Sequence, residues 1–177
     1  INIESKNPPE TEETISLIFT GDIMLDRGVE YVIEQNNDWK LPFLKIAQFT
    51  QQADLAFGNL ESVISDKGTK VGSLYSFRAD PRTIEGLTLA GFDVLSLANN
   101  HAFDYTAEAL IDTIVRLKLA DISSVGADMN KEAVFAPLIK EIKKQKKCEG
   151  MIIDSHMSHY LPSKYVDLCI VTKCNLK

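Results

Sequence analysis

Three short apolar runs in this chain each break off in a polar cluster, and the repetition constrains the fold more than any other feature. Ile15-Ser16-Leu17-Ile18-Phe19 stops at Thr20-Gly21-Asp22, Asp54-Leu55-Ala56-Phe57 at Gly58-Asn59-Leu60-Glu61, and Phe92 to Ala98 at Asn99-Asn100-His101. Runs of this length, rich in β-branched and aromatic residues, read as strands. The segments between them carry helical spacing. Arg27 to Gln35 places Val29, Val32 and Ile33 on one side. Pro42 to Gln51 offers Phe43, Leu44, Ile46, Ala47 and Phe49 as a buried stripe. Pro81 opens a helix over Arg82 to Ala90, and Gly91 closes it. Ala107 to Leu119 forms another, with Asp104 or Thr106 as its cap. Ile122 to Val125 is a fourth strand ending at Gly126, and "NKEAVFAP" is a further short helix. Ser65 to Ser73 is a loop, followed by the extended stretch "LYSFRAD". Alternation of this kind predicts an α/β fold with a mainly parallel sheet and flanking helices. Phe57, Leu95 and Leu97 belong to its core.

Composition narrows the function classes. A net charge of −6 argues against a nucleic-acid-binding surface, which usually shows as a basic excess. No run reaches the roughly 20 apolar residues of a transmembrane helix, and the start lacks the layout of a signal peptide. Residues 1–14, polar and proline-bearing, read as a flexible leader. The cysteines, Cys148, Cys169 and Cys174, number three and lack CxxC spacing, so they define neither a disulfide framework nor a zinc site. "KEIKKQKK", ending at Lys147, reads as a solvated basic run, and residues 142–149 as a linker where the chain changes character.

In a parallel sheet all strand carboxyl ends face one edge, so the three polar clusters can converge there. Carboxylates, an amide carbonyl and an imidazole suit Mn, Zn, Fe or Mg, with imidazole tilting the choice towards transition metals. Two such ions can clamp a phosphate and generate a hydroxide nucleophile. Each cluster taken singly is better explained as turn chemistry, and it is the three in register that favour a site.

The segment 15–141 resembles the CapA family of poly-γ-glutamate capsule biosynthesis proteins, which share the calcineurin-like metallophosphatase fold. The residues that carry the resemblance are "FTGDIMLDRGV", "ADLAFGNLES", "YSFRADP", "GFDVLSLANNHAFDY" and "SVGADMNKEAVFAP". The resemblance implies metal ligands at Asp22, Asn59, Glu61 and Asn100. It also implies a phosphoryl-contacting or leaving-group-protonating role for His101. Asp26 and Asp104 are candidates for orienting such groups. Arg78 either neutralises an anionic substrate or forms a structural salt bridge. The implied ligand is an anionic polymer such as poly-γ-glutamate, or a phosphoester, and the implied location is the cell envelope.

The family's second half, with further histidine ligands, is not matched, so the fold is expected to be a partial metallophosphatase-like sheet with a short β-rich C-terminal segment. Residues 150–177, "GMIIDSHMSHYLP" through "VDLCIVTKCN", resemble instead a fragment of an adenylate-kinase-like P-loop nucleoside kinase. The G-x-x-x-x-G-K-[ST] loop of such kinases occurs nowhere in the chain. His156 and His159 are either substitute imidazole ligands or ordinary loop histidines of that segment. Three functions therefore stand: a metal-dependent hydrolase-type protein of polyglutamate synthesis, a non-catalytic module retaining half of the site, and a kinase fragment. Unpaired edges at "MIIDS" and "VDLCIVT" predict a homodimer or low solubility.

Overall fold

A computed structural model describes residues 15–72 and 74–127. Four strands form one sheet: β1 (Leu17–Ile23), β2 (Leu55–Leu60), β5 (Val94–Ser96) and β6 (Ser123–Val125), in the order β1-β2-β5-β6 with every neighbouring pair parallel. Two further strands, β3 (Val63–Ile64) and β4 (Arg78–Ala79), pair in parallel as a small second sheet. The helices are α1 (Gly28–Asn36), α2 (Ala47–Thr50), α3 (Ile84–Ala90) and α4 (Thr106–Leu119). The parallel α/β reading of the sequence is borne out.

Strand order rises steadily across the main sheet, so right-handed crossovers bring the connecting helices to the same face. Core composition agrees. Leu87 and Ala90 of α3, Leu110 and Leu117 of α4, and Val29 of α1 pack with Ala56, Leu60 and Leu95 of the strands. The opposite face carries strand residues, Leu55, Phe57, Val94 and Val125, with Leu17 and Phe19 packed against them. Period-2 alternation divides the two clusters: Leu55 and Phe57 point one way, Ala56 the other. Full burial of a side chain such as Leu95 contributes about 2 kcal/mol.

Several local expectations give way. β1 does not stop before Gly21-Asp22 but runs through them to Ile23. Its pairing moves from Phe19↔Phe57 to Asp22↔Asn59, so three steps along β1 lie against two along β2. This bulge re-aims the strand end and sets Asp22 opposite Asn59. Gly58 makes the close contact feasible, since a Cβ there would lie 2.5 Å from Ile23 Cδ1 and 2.7 Å from Thr20 Oγ1.

The expected helix over Pro42–Gln51 is instead a 3₁₀ turn at Leu41–Phe43 followed by the single turn of α2. Phe43, Ala47 and Thr50 are buried, whereas Leu44, Ile46 and Phe49 are 38–59% exposed, so the stripe is narrower than predicted. Tight winding presses Phe43 edge-on against Phe92, with ring centroids 6.1 Å apart. Pro81 opens a 3₁₀ turn rather than α3 itself, capped by the Asp80 carboxylate on the Arg82 amide at 2.8 Å, and α3 closes at Gly91 as expected. The expected helix "NKEAVFAP" and the segments 142–149 and 150–177 lie outside the described residues.

Candidate functional site

Asp22 and Asn59 lie one residue from the ends of β1 and β2, Glu61 directly follows β2, and the loop from Asn99 to Tyr105 follows β5, all at one sheet edge. The Asn59 side chain joins them. Its Nδ2 donates to Asp22 Oδ1 and to Glu61 Oε2, each at 2.7 Å. An amide nitrogen carries two hydrogens, so one serves each carboxylate and the amide can take only one orientation. Asn59 Oδ1 then accepts from Asn99 Nδ2 at 3.2 Å, and Asn99 Nδ2 also donates to the Leu60 carbonyl at 2.8 Å. Asn99 Oδ1 accepts from the His101 amide at 3.0 Å, which fixes the start of the loop.

His101 sits between two carboxylates. Its Nδ1 lies 2.7 Å from Asp104 Oδ2 and its Nε2 3.5 Å from Glu61 Oε1. The same Asp104 oxygen accepts from the Phe77 amide at 2.8 Å, so it is an acceptor towards the ring as well. That places the ring proton on Nδ1 and turns Nε2 towards Glu61 and the cluster. Phe77 lies against the imidazole with centroids 4.2 Å apart. Both His101 and Asp104 are nearly buried, at 12% and 8% side-chain exposure, so solvent does not compete for their bond.

Engagement with His101 also overturns the expected cap of α4. Asp104 is occupied by the imidazole and by Phe77, Thr106 adopts φ 71°, and the position before the helix is Tyr105 with no side-chain cap. The loop is held from outside by the 65–72 segment. Val71 donates its amide to the Asp104 carbonyl at 3.0 Å. Gly68 approaches so closely that a Cβ would lie 1.9 Å from the Tyr105 carbonyl oxygen.

The other candidates fall around this centre. Asn100 is exposed and makes no side-chain hydrogen bond to the cluster among the described residues, whereas its neighbour Asn99 supplies the contacts. Asp26 accepts from the Arg78 amide at 2.8 Å and from the Arg27 amide, serving the backbone. Its carboxylate also meets Glu30. Burial, and then the hydrogen bond and charge of Asp26, push the Glu30 carboxyl up from 4.5 to about 7. The Arg78 guanidinium lies 4.3 Å from the Tyr105 ring centroid and donates to the Lys67 and Gly68 carbonyls, so it braces the loop. It forms no ion pair among the described residues. His156 and His159 lie outside them.

Two participants escaped sequence reasoning as site residues, Asn99 and Phe77, and Arg27 lies beside them with its guanidinium 4.9 Å from the Phe77 ring centroid. Asn99 was visible only as the first half of an Asn doublet, and Phe77 as a hydrophobe in "SFRADP". Arg27 gave no periodic signal at all.

The donors at this edge match a divalent cation in kind: two carboxylates meeting at one atom, an amide and an imidazole. They match as a partial set in number. Among the described residues no three His, Cys, Asp or Glu side chains gather closely enough to enclose an ion. The amide hydrogens of Asn59 occupy the point where the two carboxylates converge.

Comparison with known proteins agrees with this framework. Residues 16–153 match the family described as bacterial capsule synthesis protein PGA_cap. The capsule biosynthesis protein CapA of Bacillus anthracis is 33% identical over 123 residues, which is 67% of this chain and 29% of that protein. The PGA biosynthesis protein CapA of Bacillus subtilis is 29% identical over 119 residues, 66% of this chain and 31% of that one. A probable polyglutamine synthesis accessory protein of Mycobacterium tuberculosis is 28% identical over 149 residues, covering 65% and 39% respectively. The chain thus spans between 29% and 39% of the length of these relatives. The kinase resemblance of residues 150–177 gains no support from these matches. With the family match running through every strand that builds the polar edge, the chain belongs to the bacterial capsule synthesis protein family.

Proposed function

We propose that the polar edge is part of a divalent-metal site of hydrolase type, serving polyglutamate capsule synthesis at the cell envelope. The observation that carries this is the meeting of Asp22 and Glu61 on one Asn59 nitrogen, beside an imidazole whose Nε2 is turned towards them by Asp104. Asp22, Glu61 and the Asn59 amide would hold the ion, with Asn100 and the more distant histidines as further candidate donors. A divalent cation bound there supplies charge neutralisation and Lewis acidity. With its Nδ1–H held by Asp104, His101 would take a proton at Nε2 from the attacking water and pass it to the leaving oxygen or nitrogen, while Phe77 shields one face of the ring. The relatives' names, capsule biosynthesis, PGA biosynthesis and polyglutamine synthesis, are consistent with a polyglutamate-type polymer. No helix among the described residues is long and apolar enough to cross a membrane.

Isothermal titration with Mn²⁺ and Zn²⁺ tests the reading, on the full chain and on the Asp22→Ala, Glu61→Ala double variant. Micromolar binding that the double variant loses is the expected result, with assays on phosphoesters and poly-γ-glutamate to follow. Binding that survives the substitutions sinks the proposal.

A second reading is favoured by the same amide. Asn59 already satisfies both carboxylates with hydrogen bonds, as a neutral bridge would in a non-catalytic module. A folded chain that takes up neither ion selects that alternative.

A further inference from the structure

Arg27 stands out from the other arginines of the chain. Arg82 is paired with Asp80 at 2.8 Å, Arg116 with Asp112 and Asp66, and Arg78 is engaged by loop carbonyls. Arg27 is exposed, and its guanidinium makes one hydrogen bond among the described residues, from Nη2 to the Leu74 carbonyl at 3.3 Å. It has no carboxylate partner there. Its guanidinium carbon lies 4.9 Å from the Phe77 ring centroid and 5.4 Å from that of Tyr75. Phe77 in turn stacks on His101. The cation is therefore held on an aromatic shelf one ring away from the imidazole.

The backbone adds an independent observation. Arg27 has φ 56° and ψ −120°, a conformation natural to glycine and strained for a residue with a Cβ. The strained backbone accompanies an exposed guanidinium laid on Tyr75 and on Phe77, the ring that stacks on His101.

We propose that Arg27, seated on Phe77 and Tyr75, is the residue that grips a carboxylate of a polyanionic chain entering beside His101. A planar guanidinium with unused donors matches a carboxylate bidentately. In a protein of net charge −6 whose site displays Asp22 and Glu61, an acidic polymer needs such a local cation to approach. The inference deepens the proposed function and rests on its reading of the edge as ligand-facing.

The test is binding of a labelled γ-linked glutamate oligomer, followed by fluorescence anisotropy at fixed ionic strength, with the full chain and its variants. Arg27→Gln should weaken binding about tenfold, and Arg27→Lys by less, since charge is kept while the fork is lost. Arg27→Gly should lose binding as fully as Gln while its thermal midpoint stays at or above that of the unaltered chain, because the strained φ is relieved. Mn²⁺ titration of Arg27→Gly should match that of the unaltered chain. Oligomer binding that is absent, or indifferent to Gln and Gly, overturns the proposal. So does a fall of the Gly midpoint, which would make Arg27 a structural residue. Inorganic phosphate displacing the oligomer at equal concentration would overturn the assignment to carboxylate. Oligomer binding that depends on Arg27 in a chain that takes no Mn²⁺ would sink the metal reading and leave this inference standing; Mn²⁺ uptake with Arg27-independent oligomer binding would do the reverse.

Discussion

Around Asp112 and around Asp22 the chain treats negative charge in opposite ways. Asp112 is buried on α4, and its carboxylate receives Lys67 Nζ at 2.9 Å, Arg116 Nε at 2.7 Å and the Ser65 hydroxyl at 2.7 Å. Burial alone would raise its pKa, but the Lys67, Arg116 and Ser65 hydrogen bonds outweigh it and hold the group at about 2. Asp22 and Glu61 have an amide and an imidazole, and no lysine or arginine reaches them among the described residues. The first arrangement clamps the 65–68 loop to α4. The second leaves two carboxylates beside each other with no lysine or arginine partner among the described residues, a configuration that adds little to the stability of the fold.

The contrast fixes the expected ranking of two substitutions. Asp112→Ala should cost about 2 kcal/mol in urea unfolding, because it leaves the Ser65 hydroxyl and Arg116 Nε without their acceptor and uncouples the loop, although Arg116 keeps Asp66. Asp22→Ala should change stability by no more than about 0.5 kcal/mol, since an exposed carboxylate next to another gains little in the fold. The pH dependence carries the same sign argument. The folded-state value of Asp112 lies below its ordinary 3.8, so its contribution is present above that value and is lost as pH falls towards about 2. Equal losses for the two variants would erase the distinction between a structural and a ligand-facing cluster.

Asp104 lies between these extremes, and the next expected effect is smaller. Asp104→Asn retains an acceptor for the Phe77 amide but presents an NH₂ group to the ring, which moves the imidazole proton from Nδ1 to Nε2. A stability loss of about 1 kcal/mol is expected, together with reversed ¹⁵N shifts for the two ring nitrogens of His101. An unchanged tautomer would show that Asp104 does not orient the imidazole.

What the residues made legible followed from strong, repeated signals. Parallel strands ending in polar clusters could be read because period, length and the turn residues agreed at Asp54–Phe57 and at Phe92–Ala98. The spacing of His101 and Asp104 was visible as an aspartate three residues on, but a helix cap explained it as well, and only burial of both side chains decides for the pair. The β1 bulge was not legible, because Gly21-Asp22 looks the same whether it ends a strand or kinks inside one. The 42–51 helix misled because apolar residues occur there on all sides, and periodicity cannot say which of them the Phe43 contact with Phe92 will select. Arg27 was invisible for a different reason: its significance lies in a positive φ and in two rings that arrive from a distant segment.

The smallest expected effect sharpens the comparison from a third carboxyl pair, Asp26 with Glu30. Here, among the described residues, no cation and no side-chain amide comes between the two; burial, and then the adjacent Asp26, lift Glu30 from 4.5 to about 7. Below 4.5 the carboxyl is protonated folded or unfolded and pH has no leverage. Between 4.5 and 7 the unfolded chain releases the proton first, so stability falls as pH rises, the reverse of the Asp112 behaviour. Glu30→Gln should remove that slope, matching the unaltered chain at pH 4 and exceeding it at pH 8. Solvent screening of this partly exposed group keeps the gain to roughly 1 kcal/mol or less. Since the Asp26 carboxylate holds the amides of Arg27 and Arg78, the same pH range should also alter how firmly the arginine shelf is anchored. Thermal midpoints of both chains across pH 4 to 8 check the slope. Parallel curves would mean that burial and Asp26 do not raise the Glu30 carboxyl in the folded protein, and that the strained turn at Arg27 is held by its backbone alone.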